Sequence, residues 1–280
     1  MIGLSTVKRP LTAVMLGLAL VAPIAALAGQ APPTGPDGRV PAAAPTPPGP
    51  DPALGAPKAG APIDVTGQWV AIVNEDWRWR MITPPKGDFP GLPLNEAGRK
   101  AAEAWDPATD GSCKAYGAGG LMRMPTRLRI SWVGEDQLKI ETDAGVQTRT
   151  LMFGKQPDAS TPRTLQGFST ARWRRPNVVP AQVAGGVQVG NAFRPPGGSL
   201  AVVTTHTTGG WLRKNGVPYS QDARISEFYD RFKGPDGAEW LTVLTTVEDP
   251  ANLNGPFITS SHFKKETNTS TWRPKPCRAD

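Results

Sequence analysis

The most unusual string in the sequence runs from Glu75 to Arg80, where acidic, aromatic and basic side chains follow one another without a break. If this string is extended, Trp77 and Trp79 share one face of the strand, while Arg78 and Arg80 share the other. Two aromatic rings beside guanidinium groups could hold a flat or anionic ligand by stacking and by paired hydrogen bonds. The plainer alternative is a strand at the rim of a sheet that packs its Trp side chains inward and exposes its Arg side chains.

His206 is the better placed of the two histidines to act as a general base, because it ends a predicted strand just before a Thr-Thr-Gly-Gly turn. A general base needs a pKa near neutrality and a position in a pocket. A structural or surface histidine is the alternative. His262 lies far along the chain in the last predicted strand, and the two do not have a His-x-His or His-x3-His spacing, so no metal site is predicted.

Tyr116 opens a glycine-rich stretch that is followed by Arg123. Met122 stands where a phosphate-binding motif would need its third glycine, so the stretch predicts a flexible loop at the mouth of a barrel. Loops and strand ends at one open end of a barrel gather ligand contacts. We therefore predict a ligand-binding site at one end of the fold, formed by Trp77, Arg78, Trp79, Arg80, Tyr116, Arg123 and His206.

The elements that must position these residues are predominantly strands. Over residues 126–153, Leu128, Ile130 and Trp132 alternate with polar residues, and Leu138 and Ile140 do the same after a Gly-Glu-Asp turn. A second turn at 143–145 leads into a third run. The pattern predicts a three-stranded antiparallel meander with one face in water.

Six further β-rich runs lie at 65–73, 167–173, 200–205, 224–232, 240–247 and 258–264. They bring the predicted total to about nine strands. One short helix is predicted, with Asn95 as its N-cap and its end at Ala104 or Trp105. Because closure removes the exposed edges of a long meander, we predict an all-β, antiparallel barrel or a strongly curved sandwich.

The chain contains two cysteines, Cys113 just after the predicted helix and Cys277 near the end. In an oxidising compartment the simplest interpretation is one disulfide that ties the C-terminus to the helix region. Closing a loop of this length contributes on the order of 4 kcal/mol in the chain-entropy model. The alternative is a pair of separate thiols.

The first 28 residues predict a signal peptide, with Lys8 and Arg9 before an apolar run and Ala26-Leu27-Ala28 before the cleavage point. An uncleaved anchor is the alternative, although the run is short for a membrane span and contains a proline. Residues 29–62 contain 11 Pro, 8 Ala and 6 Gly, which predicts a disordered linker. The folded domain is therefore predicted at 63–280, periplasmic or secreted, without stable membrane insertion after cleavage.

Composition excludes several classes of protein. All 20 aromatic residues follow residue 62, which excludes a disordered chain. Two His and two Cys are too few for zinc clusters, iron–sulfur sites or a disulfide-dense miniprotein. Without the signal peptide the chain has 29 basic and 24 acidic residues, a net charge of +5. This mild charge gives no reason to predict a nucleic-acid partner, despite the arginines on either side of Trp173.

Residues 67–69, Gly-Gln-Trp, resemble the start of lipocalin-like barrels, in which the Trp packs across the base. A second resemblance is carried by residues 125–129, 143–149, 165–169 with Trp173, 200–205, 211–218, 247–250 and 256–257. These segments resemble a large, mostly uncharacterised family of secreted bacterial proteins. The resemblance implies a lipocalin-like β-barrel and brings no established activity or catalytic residues.

Three functions are compatible with these features. The first is an exported protein that binds a small aromatic or apolar molecule in the barrel, because a closed sheet of this size can enclose a cavity. The second is a cofactor-free lyase, isomerase or hydrolase that uses His206 as its candidate catalytic residue. The third is a structural protein of the cell envelope. The fold alone does not decide between them, and neither a cofactor nor an oligomeric state is predicted.

The signal-peptide hypothesis predicts that the exported protein begins at Gly29. Intact mass spectrometry of protein purified from its own periplasm measures this directly. Retention of Lys8 and Arg9 in that material would contradict cleavage and support the membrane anchor.

Overall fold

The computed structural model describes residues 55–108, 110, 112–176 and 197–277. The predicted signal peptide and residues 29–54 of the predicted linker lie outside the described residues.

Nine strands close into a barrel, as the alternation of apolar and polar residues predicted. Around the barrel the order is β1, β12, β11, β10, β7, β6, β5, β3 and β2. The strands are β1 Gly67–Ile72, β2 Arg127–Trp132, β3 Gln137–Thr142, β4 Ala144–Gly145, β5 Thr148–Phe153, β6 Phe168–Arg174, β7 Ser199–Thr205, β8 Gly210–Arg213, β9 Val217–Tyr219, β10 Arg224–Lys233, β11 Glu239–Glu248, β12 Phe257–Glu266 and β13 Lys275–Pro276. β8 and β9 form a separate hairpin, and β4 pairs with β13.

One pair in the barrel, β5 with β6, is parallel, and the other neighbours are antiparallel. An odd number of strands cannot alternate in direction all the way around a closed ring, so at least one parallel pair is required. A parallel pair cannot be joined by a tight turn. Residues 154–167 therefore return the chain from the end of β5 to the end of the barrel at which β6 begins.

In the described residues, two helices and three short 3-10 turns accompany the barrel. The predicted helix is α2, Glu96–Glu103, and the Asn95 side chain accepts a hydrogen bond from the Gly98 amide at 2.8 Å, as an N-cap does. The other helix, α1 Trp77–Met81, overlaps the Glu75–Arg80 string, for which an extended strand was the conformation weighed above. The 3-10 turns are Lys114–Tyr116, Leu121–Arg123 and Thr269–Thr271.

The two ends of the barrel are closed differently. At one end, here called the cap end, β1 finishes and β2 begins. Residues 73–126, 206–223 and 249–256 all leave the barrel there and form the cap. An apolar cluster that includes Leu94, Leu212, Tyr219 and Leu253 holds the cap together. Asn252 joins two of its segments, because its carbonyl accepts from the Asn95 amide at 3.0 Å.

The opposite end, here called the base end, is covered by residues 55–66. The indole of Trp173 donates to the carbonyl of Pro57 at 2.6 Å, and Ala61 and Ile63 pack against the apolar core. Trp69 is fully buried beside them and donates to the carbonyl of Val65 at 3.0 Å. Residues 55–62 therefore belong to the folded unit, although their composition placed them in the linker.

Cys113 and Cys277 form a disulfide, as predicted. The C-terminal segment leaves β12 at the base end and returns to the cap end, where Lys275 pairs with Ala144. The bond therefore fixes the C-terminus to the cap, close to the first 3-10 turn.

Within the described ranges, no helix is long and apolar enough to cross a bilayer.

Shortening the chain tests the role of the covering segment at the base end. A protein that begins at Ile63 should melt at a lower temperature than one that begins at Gly55, because Trp173 loses the Pro57 acceptor and Ala61 leaves the core. Circular dichroism of both proteins measures the difference. Equal melting temperatures would show that residues 55–62 add nothing to the fold.

Candidate functional site

The interior of the barrel is divided into an apolar half and a polar half. In the base half, the rings of Trp132, Phe153 and Trp173 pack against one another. The ring centroid of Phe153 lies 5.5 Å from that of Trp132 and 5.6 Å from that of Trp173. Their neighbours are Leu200, Tyr229, Leu241 and Phe263. These side chains pack the base half of the interior, so the polar half and the cap are the better places to look for a site.

A fully buried ion pair lies in the polar half. The Nη1 and Nη2 atoms of Arg149 donate to the two carboxylate oxygens of Glu227 at 3.0 and 2.7 Å. Both side chains are 0% exposed. Nη2 also lies 3.1 Å from the hydroxyl of Thr204 and 3.3 Å from that of Ser169. A paired, two-bond contact of this kind is the strongest form of arginine–carboxylate interaction.

Burial and the Glu227 carboxylate shift the pKa values of the groups in this region. Burial lowers the pKa of Arg149, but the Glu227 carboxylate outweighs burial and holds that pKa above its usual range. Burial also raises the pKa of Tyr229 and, to about 12, that of Tyr219. Both phenols therefore stay protonated at neutral pH and remain hydrogen-bond donors.

Four buried polar atoms around the ion pair have no hydrogen-bond partner among the described residues. They are Arg149 Nε, the Tyr229 hydroxyl, Thr245 Oγ1 and Ser261 Oγ. Thr245 lies opposite Glu227 in the sheet, and Val243 separates Tyr229 from Ser261. An unpartnered buried polar group is costly, so this part of the interior has unused capacity to bind water or a polar molecule.

A second group of buried charges lies where the cap meets the barrel. It consists of Arg80, Arg123 and Arg213, here called the arginine triad, whose side chains are 2–3% exposed. Arg80 comes from α1 and donates from Nε to the carbonyl of Arg123 at 2.8 Å. Its Nη1 and Nη2 atoms have no partner among the described residues. The whole outer edge of its guanidinium group is therefore available.

Arg123 links the triad to the barrel interior. Its Nη1 donates to Asp76 Oδ2 at 3.1 Å and to Thr259 Oγ1 at 2.6 Å, while Nη2 is unpartnered in the described structure. Thr259 is two residues from Ser261 on the inward face of β12, so the triad and the polar half of the barrel are continuous. Asp76 is held with a φ of 51°, a left-handed conformation that few residues other than glycine adopt.

Arg213, from the end of β8, completes the triad. Its guanidinium lies over the ring of Trp79 at 4.7 Å, and its Nε and Nη1 atoms have no partner within the described ranges. Arg123 is packed similarly, 5.5 Å from the ring centroid of Phe257. The aromatic rings cover the faces of the two guanidinium groups and leave N–H groups at their edges free.

The three positive charges are close enough to disturb one another. Burial first, and then the charge of Arg123, lowers the pKa of Arg80 and of Arg213 to about 10. Burial also lowers the pKa of Arg123, while Asp76 opposes that effect. All three groups remain charged at neutral pH. Asp76 contacts Arg123 directly, and the carboxylates of Glu75 and Asp88 act from a greater distance on Arg80 and Arg213 respectively.

The structure brings only part of the predicted site together. Arg80 and Arg123 belong to the triad, and Trp79 supports Arg213. Arg78 forms a surface ion pair with Asp88 at 2.7 Å, and Trp77 points into solvent. Because 77–81 is a helix, the expectation that Trp77 and Trp79 share a face is wrong: residues two apart do not face the same way on a helix.

Tyr116 and His206 lie elsewhere in the cap. The Tyr116 ring packs closely against Gly145, and its carbonyl accepts from Gln166 Nε2 at 2.8 Å. Residues 117–120, expected to form a flexible loop at the barrel mouth, are buried. His206 Nδ1 lies 2.9 Å from the hydroxyl of Thr205, and no described carboxylate forms an ion pair with it.

The sequence contained signals for some of the missed residues. Arg149 alternates in phase with Leu151 and Phe153, and Glu227 alternates in phase with Ile225 and Tyr229. A charged residue in phase with inward-facing apolar residues indicates a buried charge. Arg213 had no comparable signal, because it lies in a short hairpin outside the barrel.

Replacing one partner of the buried ion pair should destabilise the fold much more than replacing both partners with apolar residues. Glu227→Gln should lower the free energy of unfolding by about 3–5 kcal/mol, because Arg149 stays charged and buried. The double variant Arg149→Met/Glu227→Leu should lose far less than the sum of the two single changes. Urea denaturation at neutral pH measures Glu227→Gln, Arg149→Met, Glu227→Leu and the double variant.

Glu248→Gln is the matched control, since Glu248 pairs with Arg224 on the partly exposed surface. Its effect should stay within about 1 kcal/mol. If Glu227→Gln lowered the free energy of unfolding by no more than this control, the account of the interior pair would be contradicted.

Neither metal ligands nor known relatives indicate a function for the described part of the chain. No group of three or more His, Cys, Asp or Glu side chains that could hold a metal ion occurs in the described part of the chain. Comparison of the chain with protein-family models, with curated proteins and with solved structures found no match. The functional argument therefore rests on the geometry of the triad.

Proposed function

We propose that this protein binds a small molecule carrying an oxyanion, and that the arginine triad holds the anionic group. One observation carries the proposal: five buried nitrogens of Arg80, Arg123 and Arg213 have no partner among the described residues.

The energetics of buried charge support an anionic occupant. A guanidinium group removed from water costs several kcal/mol unless an opposite charge and hydrogen bonds replace its hydration. Arg149 meets that requirement through Glu227, whereas in the triad Arg123 pairs with Asp76 and the described structure gives Arg80 and Arg213 no carboxylate in direct contact. A carboxylate, phosphate or sulfonate group would supply both the missing charge and the missing acceptors.

The shape of the site also favours an oxyanion. The Nη1 and Nη2 atoms of Arg80 form a fork that matches two oxygens of one anionic group. The Trp79 ring already has guanidinium neighbours, since Arg213 lies over it at 4.7 Å and Arg78 lies 5.2 Å from its centroid. Its role in this proposal is to orient Arg213.

Access to the triad requires α1 to move, because all three side chains are covered. The helix has five residues, and no side chain caps its N-terminus. Its link to the rest of the cap includes the surface ion pair of Arg78 with Asp88 and the hydrogen bond of Trp79 Nε1 with Asp88 at 3.1 Å. In this proposal the helix opens when these contacts, and the bond from Arg80 Nε to the Arg123 carbonyl, are exchanged for contacts with the ligand.

Binding is favoured over catalysis by the surroundings of His206. A general base is normally oriented by a second polar group and reaches into the site. His206 contacts a neighbouring hydroxyl and is not part of the triad. The enzyme hypothesis therefore has less support than the binding hypothesis.

The remaining proposals come from the residue patterns alone. We propose that the chain belongs to the secreted bacterial group that it resembles, with the periplasm or the exterior as its location. The closed barrel is compatible with that group's lipocalin-like fold. The earlier hypothesis of an aromatic or apolar ligand inside the barrel is refined here to a ligand whose anionic group lies at the cap.

Thermal unfolding in the presence of oxyanions tests the proposal. Sodium phosphate, sulfate and benzoate should be compared with sodium chloride at equal ionic strength. A ligand at about a hundred times its Kd should raise Tm by roughly 5–10 °C in a domain of this size.

Arg80→Met should abolish that shift, because it removes the two Nη donors that have no other acceptor among the described residues. Arg78→Met, two residues away and exposed, should leave the shift intact. If none of the three anions raises Tm in the unaltered protein, or if Arg80→Met still responds, the proposal fails.

A further inference from the structure

A groove of about 350 Å³ lies on the surface beside α1. Its walls come from the end of β1, from α1 and from the segment that leads into β2. The lining includes Val70, Val73, Trp77, Met81, Pro125 and Arg127. The volume falls within the range of roughly 300–1,000 Å³ that small-molecule sites occupy.

The groove exposes large apolar side chains in one place. Trp77 is 63% exposed and Met81 is 49% exposed, and both line the groove. Scattered apolar residues on a surface need no explanation, but a contiguous group that lines a groove marks a binding surface.

The groove and the arginine triad share two segments. In α1, Trp77 and Met81 line the groove, and Arg80 belongs to the triad. Residues three or four apart on a helix are neighbours, about 5–6 Å apart at their Cβ atoms, so Trp77, Arg80 and Met81 are adjacent. Residues 123–127 repeat the arrangement, since Arg123 belongs to the triad while Pro125 and Arg127 line the groove.

We propose that the ligand is an amphipathic acid whose anionic head binds the triad and whose apolar body lies in the groove beside α1. This inference rests on the proposed function and adds the class of molecule. A neutral apolar molecule would fill the groove but leave the buried arginines without an acceptor. A small inorganic anion would pair with the arginines but leave Trp77 and Met81 in water.

Arg127 does not compete for the head group. Its Nε donates to Glu266 at 2.9 Å, and its Nη1 lies 3.5 Å from a carboxylate oxygen of Asp143. With two acidic partners, it forms a neutralised wall of the groove. The anionic head is therefore directed to the triad, whose N–H groups are left without acceptors among the described residues.

A series of straight-chain carboxylates measures the contributions of the anionic head and of the apolar body separately. Isothermal titration of the full mature chain should be carried out with acetate, butyrate, hexanoate and octanoate, and with octanamide as the neutral match for octanoate. Burial of each added methylene should tighten binding by about two- to fourfold. Octanamide should bind at least tenfold more weakly than octanoate.

Two classes of variant assign the two parts of the ligand. Met81→Ser and Trp77→Ala should flatten the dependence on chain length, with little effect on Tm because both side chains are exposed. Arg80→Met should abolish binding of the whole series. Ile258→Ser, which changes an equally exposed apolar residue outside the groove, is the matched control and should behave like the unaltered protein.

The outcomes distinguish this inference from the proposed function. If inorganic phosphate and acetate bind but added methylenes do not tighten binding, the amphipathic ligand is ruled out and the anion site stands. If octanoate and octanamide bind equally well, the head group does not use the triad and the inference is overturned. If no anion of any kind binds, the proposed function itself is wrong.

Discussion

Buried arginine side chains need partners, and this requirement connects the barrel, the cap and the site. Arg149 is fully buried and has a complete partner in Glu227, so it forms a closed, internally satisfied unit within the barrel. The triad differs, because Asp76 pairs with Arg123 alone, and five nitrogens of the three guanidinium groups have no partner among the described residues. Two kinds of buried charge thus occur within one continuous polar region, one neutralised by the protein and the other left with unused donors.

The rest of the fold places these charges where they are. The closed barrel brings Arg149 and Glu227 together from β5 and β10, strands 78 residues apart in the chain. The cap supplies the triad from three separate segments: α1, the second 3-10 turn and the β8–β9 hairpin. The disulfide from Cys113 to Cys277 fixes the C-terminus to the same end. Residues 55–66 cover the base end, and the site lies at the opposite, cap end.

The strands were predictable because alternation between an apolar and a polar face is a local signal. Leu128, Ile130 and Leu138 mark the core face, and the Asn95 cap marks the start of α2. The helix at Trp77–Met81 was not predicted, since five residues rich in Trp and Arg carry no helical periodicity. Tertiary contacts set its conformation: Arg80 bonds to the Arg123 carbonyl and Arg213 stacks on Trp79.

The site was predictable in part for the same reason. Arg80 and Arg123 were identified from residue type, and the structure brings them together across 43 positions of sequence. Arg213 and Asp76 become recognisable as partners only once the chain is folded, because no spacing in the sequence relates them. Trp77 was assigned to stacking beside Trp79, whereas the helix turns it toward the surface groove.

Anomalous diffraction from a crystal soaked in selenate tests the central claim most directly, because it locates an oxyanion without depending on activity. The account predicts a selenium peak beside the triad, at a position that places the selenate oxygens within hydrogen-bond distance of the free Nη atoms of Arg80 and the Nη2 atom of Arg123. Ordered water on all five free nitrogens with no selenium peak, or triad side chains turned out into solvent, would contradict it.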